Sequence, residues 1–579
     1  MRLFFILIIL VFTSCQNSKE TTDKTGLIAE NAMVVTARAE ASEIGLSILK
    51  QGGNAFDAMI ATELALAVAF PFAGNVGGGG FMVYRTHEGQ SGALDYREKA
   101  PMAAHRDMYL DDNKKVISKK SRIGGLAIGV PGTVAGIFAV HEKFGSLPME
   151  DLIKPAIQLA QKGVLVTENQ QNSLDYARAL IIQTSGKNTL FSKSYKVGDT
   201  IKHNAFAKTL MKIKNNGRDE FYKGEVAKAI VEFLQKNGSI ITLKDLEAYQ
   251  AKWRKPVEFQ YKDLKNYQAK WRKPVEFTYK NLNIISMSPP SSGGICMGQI
   301  LKMIEPYDLK SFGHNSSESI QLITEASRRS YADRSHFLGD ADFVEIPVDS
   351  LLSQDYLDER MADFSFDKAT PSEDVSHGQI SMIPESDETT HYSIVDSFGN
   401  AVSVTTTLNG AYGSKLYSNE LGFFFNNEMD DFSSKPGEPN MFGLIGAEAN
   451  SIEPEKRMLS SMTPTIVEKN GKLFMVLGTP GGSRIITSVL QAILNVYEFE
   501  MGMQQAADAP RFHHQWLPDE VFFEEGFSDD LFDQLKQKGY NISSEKAVIF
   551  GSIAGILVLN DGKLEAGADH RRDNLGMGF

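Results

Sequence analysis

Cysteine is almost absent from this chain: 579 residues carry two, Cys15 and Cys296. One of them lies at the far N-terminus, inside what reads as a targeting stretch. The folded body then has no pair to bridge, and its stability must come from packing. A cationic surplus is also missing. Lys and Arg number 60 against 72 Asp and Glu, a formal net charge of −12. Nothing in that balance would neutralise a phosphate backbone, which argues against a nucleic-acid partner. The apolar stretch Leu3 to Phe12 spans ten residues, too few to cross a bilayer. What is present is a hydrophobic content of 42%. Over this length it can bury a large core, divided into roughly two to four units.

Arg2 supplies a positive start, Leu3 to Phe12 are apolar, and Thr13-Ser14 precede Cys15. This is the layout of an export segment. It resembles the bacterial lipoprotein signal, in which a peptidase cuts before the cysteine and its thiol is lipidated. Phe12 departs from the smaller aliphatic residue usual there, and simple secretion is the rival reading. The expectation is a signal segment over 1–15, a polar tether over 16–28, and an exported protein of the periplasm or cell envelope, anchored by lipid at Cys15.

Beyond the tether, Ala32 to Ala37 reads as a short strand and Phe56 to Phe70 as a helix buried on most sides. Gly77 to Gly80 then enter the strand Phe81 to Tyr84. A phosphate loop needs a following Lys-Ser/Thr pair and a helix. Neither is here, so the run predicts a second backbone passing very close. Residues 150–250 are helical in pattern, with amphipathic stretches at Asp151 to Lys162 and Glu225 to Asn237. Tyr249 to Phe259 recurs unchanged as Tyr267 to Phe277. Two copies are too few for a solenoid, and a tandem duplication of one strand, over 249–283, is simpler. If the fold offers one slot for that strand, one copy is left less well packed. Neither copy is expected to reach the functional site.

The second half carries the chemistry. Glu388-Thr389-Thr390-His391-Tyr392-Ser393 sets a threonine between a polar approach and an apolar-alternating strand. A threonine hydroxyl is a poor nucleophile, but at a freshly exposed chain start it has its own base, the α-amine, with a pKa of roughly 7.7 to 8.0. Cleavage between Glu388 and Thr389 would therefore create an active site. Thr389 to Val395 and Ala401 to Leu408 read as two strands joined by the turn Asp396 to Asn400. Counting outward from that turn sets Thr389 beside Thr407. Threonines also favour strands for their own sake, so the hairpin alone leaves the pair's meaning open. Farther on, Lys472 to Gly478 reads as a buried strand, Thr479 to Arg484 as a glycine turn and Ile485 to Glu498 as a helix. Such a junction aims unpaired N–H groups at one point, which suits an oxyanion.

A resemblance gathers these pieces. Thr389-Thr390-His391-Tyr392-Ser393, Asn426 to Phe432, Leu459-Ser460-Ser461-Met462, Pro480 to Arg484 and Ala509 to His514 occur in the order and spacing of the γ-glutamyltransferases. Gly74 to Phe81 and Asp95-Tyr96-Arg97-Glu98 look like that family too. The likeness runs from about residue 29 to the C-terminus. It implies an α/β (α+β) fold of the N-terminal-nucleophile hydrolase type, a four-layer αββα sandwich. It also implies one precursor that cuts itself into a helix-rich large subunit, 29–388, and a small catalytic subunit, 389–579.

By the same resemblance Thr389 is nucleophile and new N-terminus, Thr407 contacts its hydroxyl, and Gly481 and Gly482 donate to the oxyanion. Arg97, Ser460 and Ser461 match positions that bind the α-carboxylate of a γ-glutamyl group. Asn409, Glu428 and Asp431 match those around its α-ammonium. Oppositely charged ends on one small substrate call for both kinds of partner. Lys435 to Glu448 resembles the family's lid, with Phe442 where tyrosine is common; a phenylalanine walls off a pocket but donates no hydrogen bond. The implied activity is cleavage of glutathione and other γ-glutamyl compounds, with transfer to water or to amino acid and peptide acceptors, and no cofactor. His513-His514 does not change this. Consecutive side chains diverge, and no carboxylate or cysteine at ligand spacing accompanies them. The rival readings are a β-lactam side-chain acylase of the same fold, a non-catalytic envelope lipoprotein that binds a ligand, and a structural envelope protein.

Overall fold

The computed structural model describes residues 25–117, 119–254, 274–376, 389–438, 440, 444, 446–544 and 549–579. The signal segment, Cys15, Glu388, Phe442 and the middle of the duplication lie outside the described residues.

Two seven-stranded sheets form the centre, and every pairing printed within them is antiparallel. The first runs, edge to edge, through Ile28–Ala29, Leu564–Ala568, Ala554–Val558, Lys472–Gly478, Thr465–Lys469, Leu282–Ser286 and Val275–Tyr279. The second runs through Leu575–Gly578, Met33–Thr36, Thr389–Val395, Ala401–Thr407, Gly79–Arg85, Ser91–Asp95 and Lys252–Arg254. The sheets stack face to face. Ser403 Oγ donates to the carbonyl of Leu477 at 3.0 Å and Ser393 Oγ to that of Ala554 at 2.9 Å, so the polar residues between the sheets are satisfied across the gap. Helices cover both outer faces, which gives the expected αββα sandwich.

Local sequence explains the elements that hold the site. Helix Ala55–Ala69 starts at Asn54, whose Oδ1 accepts from the N–H groups of Phe56 and Asp57 at 2.9 and 3.0 Å, a strong cap. All fifteen of its residues are buried, as its unbroken apolar run requires: it packs on the second sheet and on three neighbouring helices. The hairpin turn is set by Asp396, whose Oδ1 accepts from Phe398 and Asn400 N–H at 2.9 and 2.8 Å. Gly399 takes the positive φ of 93° that closes it.

The glycine run also meets its expectation. Gly79 lies opposite Thr407 in the ladder, and a Cβ at Gly80 would stand 2.6 Å from the Thr405 carbonyl oxygen. Of the two copies of the strand-like run, Val257 to Tyr261 lies outside the described residues and Val275–Tyr279 is a strand. Lys252–Arg254, from the first copy, pairs with Ser91–Asp95 at the edge of the second sheet. Val275–Tyr279, from the second, pairs with Leu282–Ser286 at the edge of the first. These two strands come from the start and the end of the repeat, so a single unduplicated copy would already hold the sequence for both edges. The expected separation from the site fails for the first copy, since Tyr249 Oη donates to the carbonyl of Arg97 at 2.7 Å.

Candidate active site

The two central strands of the second sheet pair in the register counted from the turn, Thr389 opposite Thr407. Both are buried, 4% and 2% exposed. One pocket is lined by Thr389, Thr407, Asn409, Arg97, Asp431, Ser460, Ser461 and Gly482, together with Arg334, Leu444, Leu459, Met462 and Ile485. Of the expected site residues among those described, Glu428 and Gly481 are not in the lining. Gly481 immediately precedes Gly482 in the turn, and Glu428 sits behind Arg97.

The charged end of the pocket is a compact ion-pair cluster. Arg97 Nη1 meets Glu428 Oε2 at 2.6 Å and Glu98 Oε2 at 3.8 Å, and Nη2 pairs with Asp431. Burial disfavours charge on every member. It pushes Glu98 up to about 8, Asp431 up to about 6 and Glu428 well above the usual carboxylate range, with Arg97 opposing each rise. For Arg97 the three carboxylates outweigh burial and hold the guanidinium protonated. One cation among three buried carboxyls leaves an excess of negative capacity, which suits a second, incoming cation. Asn409 flanks this end in a left-handed conformation, φ 70°. Its N–H donates to Thr407 Oγ1 at 2.7 Å and its Nδ2 to the Asn427 carbonyl at 3.0 Å.

Another part of the lining comes from the turn between strand Lys472–Gly478 and helix Arg484–Tyr497. Gly481 and Gly482 have φ of 135° and 53°, values side chains resist, so glycine lets the chain reverse sharply here. Ser552 N–H donates to Thr479 Oγ1 at 2.7 Å and Tyr331 Oη to the Ser483 carbonyl at 2.5 Å, which holds the turn at both ends. Such a turn, opening a helix beside Thr389, can offer backbone donors to a developing oxyanion.

Ser460 and Ser461 line the same pocket. Arg334 was missed by the sequence reading. It comes from helix Ser317–Phe337, eighteen of whose 21 residues are buried, and donates through Nη2 to Ser461 Oγ at 3.1 Å. The only available signal was a helix too polar to be core yet lacking an apolar stripe. His513 and His514 diverge as anticipated: the first meets Thr487 Oγ1 at 2.8 Å, the second Asp519 Oδ1 at 3.3 Å.

Comparison with known proteins bears on the whole chain. A profile of the gamma-glutamyltranspeptidase family matches residues 41–262 and 259–579. The glutathione hydrolase proenzyme of Escherichia coli is 44% identical over 556 residues, 95% of this chain and 92% of the relative. The crystal structure of Helicobacter pylori gamma-glutamyltranspeptidase is 42% identical, covers 62% of this chain and 97% of its own, and superposes with a TM-score of 0.55. A cephalosporin acylase from Bacillus halodurans superposes with a TM-score of 0.81 over 98% of this chain and 99% of its own, at 23% identity, a likeness of fold alone. Both the extent of the profile match and the identity to whole-length relatives make this chain a member of the gamma-glutamyltranspeptidase family.

Proposed function

We propose that the protein is an autoprocessing γ-glutamyltransferase and glutathione hydrolase with Thr389 as nucleophile. The observation that carries this reading is the ladder register that sets Thr389 against Thr407, in a pocket shared with Arg97, Asp431, Ser460, Ser461 and Gly482. In the precursor, the Thr389 hydroxyl attacks the carbonyl carbon of Glu388 and the peptide becomes an ester. Water cleaves the ester, Glu388 ends the large subunit, and the α-amine of Thr389 is freed. The name proenzyme carried by the Escherichia coli relative supports such a cut.

In the mature pair, that amine takes the hydroxyl proton as Thr389 Oγ1 attacks the γ-amide carbon. The N–H groups of Gly481 and Gly482 stabilise the oxyanion. The amine product, cysteinylglycine when glutathione is the donor, leaves with the proton. The resulting ester passes its glutamyl group to water or to an amino acid or peptide, and no cofactor enters. The pairing of Arg97 with Glu428 and Asp431 fits a zwitterionic head group. Its carboxylate takes Arg97, Ser460 and Ser461 while its ammonium takes Asp431, Glu428 and Asn409, so every buried charge keeps an opposite partner. A glutaryl group brings no ammonium and would leave those carboxylates unmatched, which disfavours the acylase reading. Export with lipid at Cys15 belongs to the proposal on the strength of residues 1–15 alone, and Phe442 as a lid residue on sequence alone.

The test compares the full-length protein with Thr389→Ala on a denaturing gel and with a γ-glutamyl anilide. Two bands dividing at Thr389, and anilide release, are expected of the first. Cleavage at residue 388 by the alanine variant would overturn the assignment.

A further inference from the structure

The serine pair is held by an arginine from another element. Arg334 is 4% exposed and lines the pocket. Its Nη2 donates to Ser461 Oγ at 3.1 Å and its Nε to Ser292 Oγ at 2.9 Å. Ser292 relays the second bond, its Oγ donating to the Ser460 carbonyl at 2.8 Å. Its neighbour Ser291 donates through Oγ to the Met462 carbonyl at 2.7 Å. Ser460 N–H, in turn, donates to the Pro290 carbonyl at 2.8 Å. The backbone of Ser460 to Met462 is thereby clamped to the Pro290–Ser292 turn, with Arg334 at the junction.

The direction of these bonds matters. A serine hydroxyl has one hydrogen to give and two lone pairs to receive. Ser461 Oγ already receives from Arg334, and Ser460 Oγ receives from Met462 N–H at 3.2 Å. The strong role left to each hydroxyl is to donate, and both residues line the pocket. A guanidinium bonded to the Ser461 oxygen also polarises its O–H, which strengthens it as a donor. Two hydroxyl donors side by side ask for an anionic acceptor.

We propose that Arg334 is a positioning residue that commits Ser460 and Ser461 as donors to the α-carboxylate of the acyl substrate, and thereby sets the preference for acyl groups that carry one. This rests on the γ-glutamyl reading above. Arg334 acts through the serines, whereas Arg97 meets the same carboxylate directly.

Three anilides separate the contributions: γ-glutamyl, glutaryl, which keeps the carboxylate without the ammonium, and 4-aminobutyryl, which keeps the ammonium without the carboxylate. In Arg334→Met, KM for the γ-glutamyl and glutaryl anilides is expected to rise about tenfold with kcat little changed, the effect of weakening charge-assisted hydrogen bonds made equally in ground and transition states. The 4-aminobutyryl anilide should be handled as by the parent enzyme. Arg334→Lys keeps the buried charge but not the two-armed fork, and should show the same selectivity change in smaller degree. It decides the matter if the methionine variant does not fold. An equal loss on all three substrates, as a merely structural role would give, or an unchanged preference for the carboxylate overturns the proposal. A parent enzyme that cleaves no γ-glutamyl anilide refutes the proposed function instead.

Discussion

Replacing Gly80 with alanine adds one methyl group at a tight crossing behind the Thr389–Thr407 pair. No unusual backbone angle protects this glycine, so the effect is one of space. The new Cβ would stand 2.6 Å from the Thr405 carbonyl oxygen, 2.9 Å from Tyr96 Cε2 and 3.0 Å from Thr406 Cα. Real Cβ atoms do not approach within 3.0 Å, so the strand Ala401–Thr407 must yield by at least about 0.4 Å. The strand cannot absorb this by sliding, because Thr406 Oγ1 is tied to the Gly79 carbonyl at 3.0 Å and Asn75 Nδ2 to the Thr407 carbonyl at 2.8 Å. Overpacking of this kind costs roughly 1–3 kcal/mol of stability. A 1 Å misplacement of reacting groups can cost on the order of a hundredfold in rate, so a shift under half that size should slow both self-cleavage and turnover about tenfold. The measurements are the half-time for conversion of precursor to two chains, and kcat for a saturating γ-glutamyl anilide. A Gly80→Ala protein that folds, matures and turns over within about threefold of the parent would refute the close-approach argument.

Asp431→Asn removes a charge proposed to hold the substrate's ammonium while leaving Arg97 its Glu428 partner. KM for a γ-glutamyl anilide should rise about 10- to 100-fold, with no rise for a glutaryl anilide; equal rises would show that Asp431 does not read the ammonium. Glu63 accepts from Tyr392 Oη at 2.6 Å, and burial pushes its pKa from 4.5 up to about 7 despite that bond. The folded state therefore holds the proton more tightly than the unfolded chain. The stability this contributes is fully present below about pH 4.5 and is lost as pH rises through about 7. Against Glu63→Gln, both in the uncleaved Thr389→Ala background, the parent should lose about 3 kcal/mol across that window. Parallel stability curves from pH 4 to 8 would refute it.

Much of the site was legible because its signals are local. Alternation in Thr389–Val395 and Ala401–Thr407, with a five-residue turn whose aspartate and glycine close it, sets the register without reference to the rest of the chain. The strand, glycine turn and helix around Gly481 and Gly482 are equally local, as is the unbroken apolar run of helix Ala55–Ala69. In Val275–Tyr279 strand character can be read from alternation, whereas the sheet a strand joins depends on which edge is open. Arg334 was illegible for a related reason: a buried arginine in a polar helix has the composition of a surface residue.

Sequence alone determined the elements, the hairpin that sets two threonines abreast, and the supply of cations, carboxylates and hydroxyls that a zwitterion needs. Tertiary structure decided which of these meet. Arg97 and Asp431 are 334 positions apart and Arg334 and Ser461 are 127 apart, and no period or turn rule reaches across such distances. Stacking the two sheets between their helices brings them to one pocket. Burial there makes their mutual pairing energetically decisive.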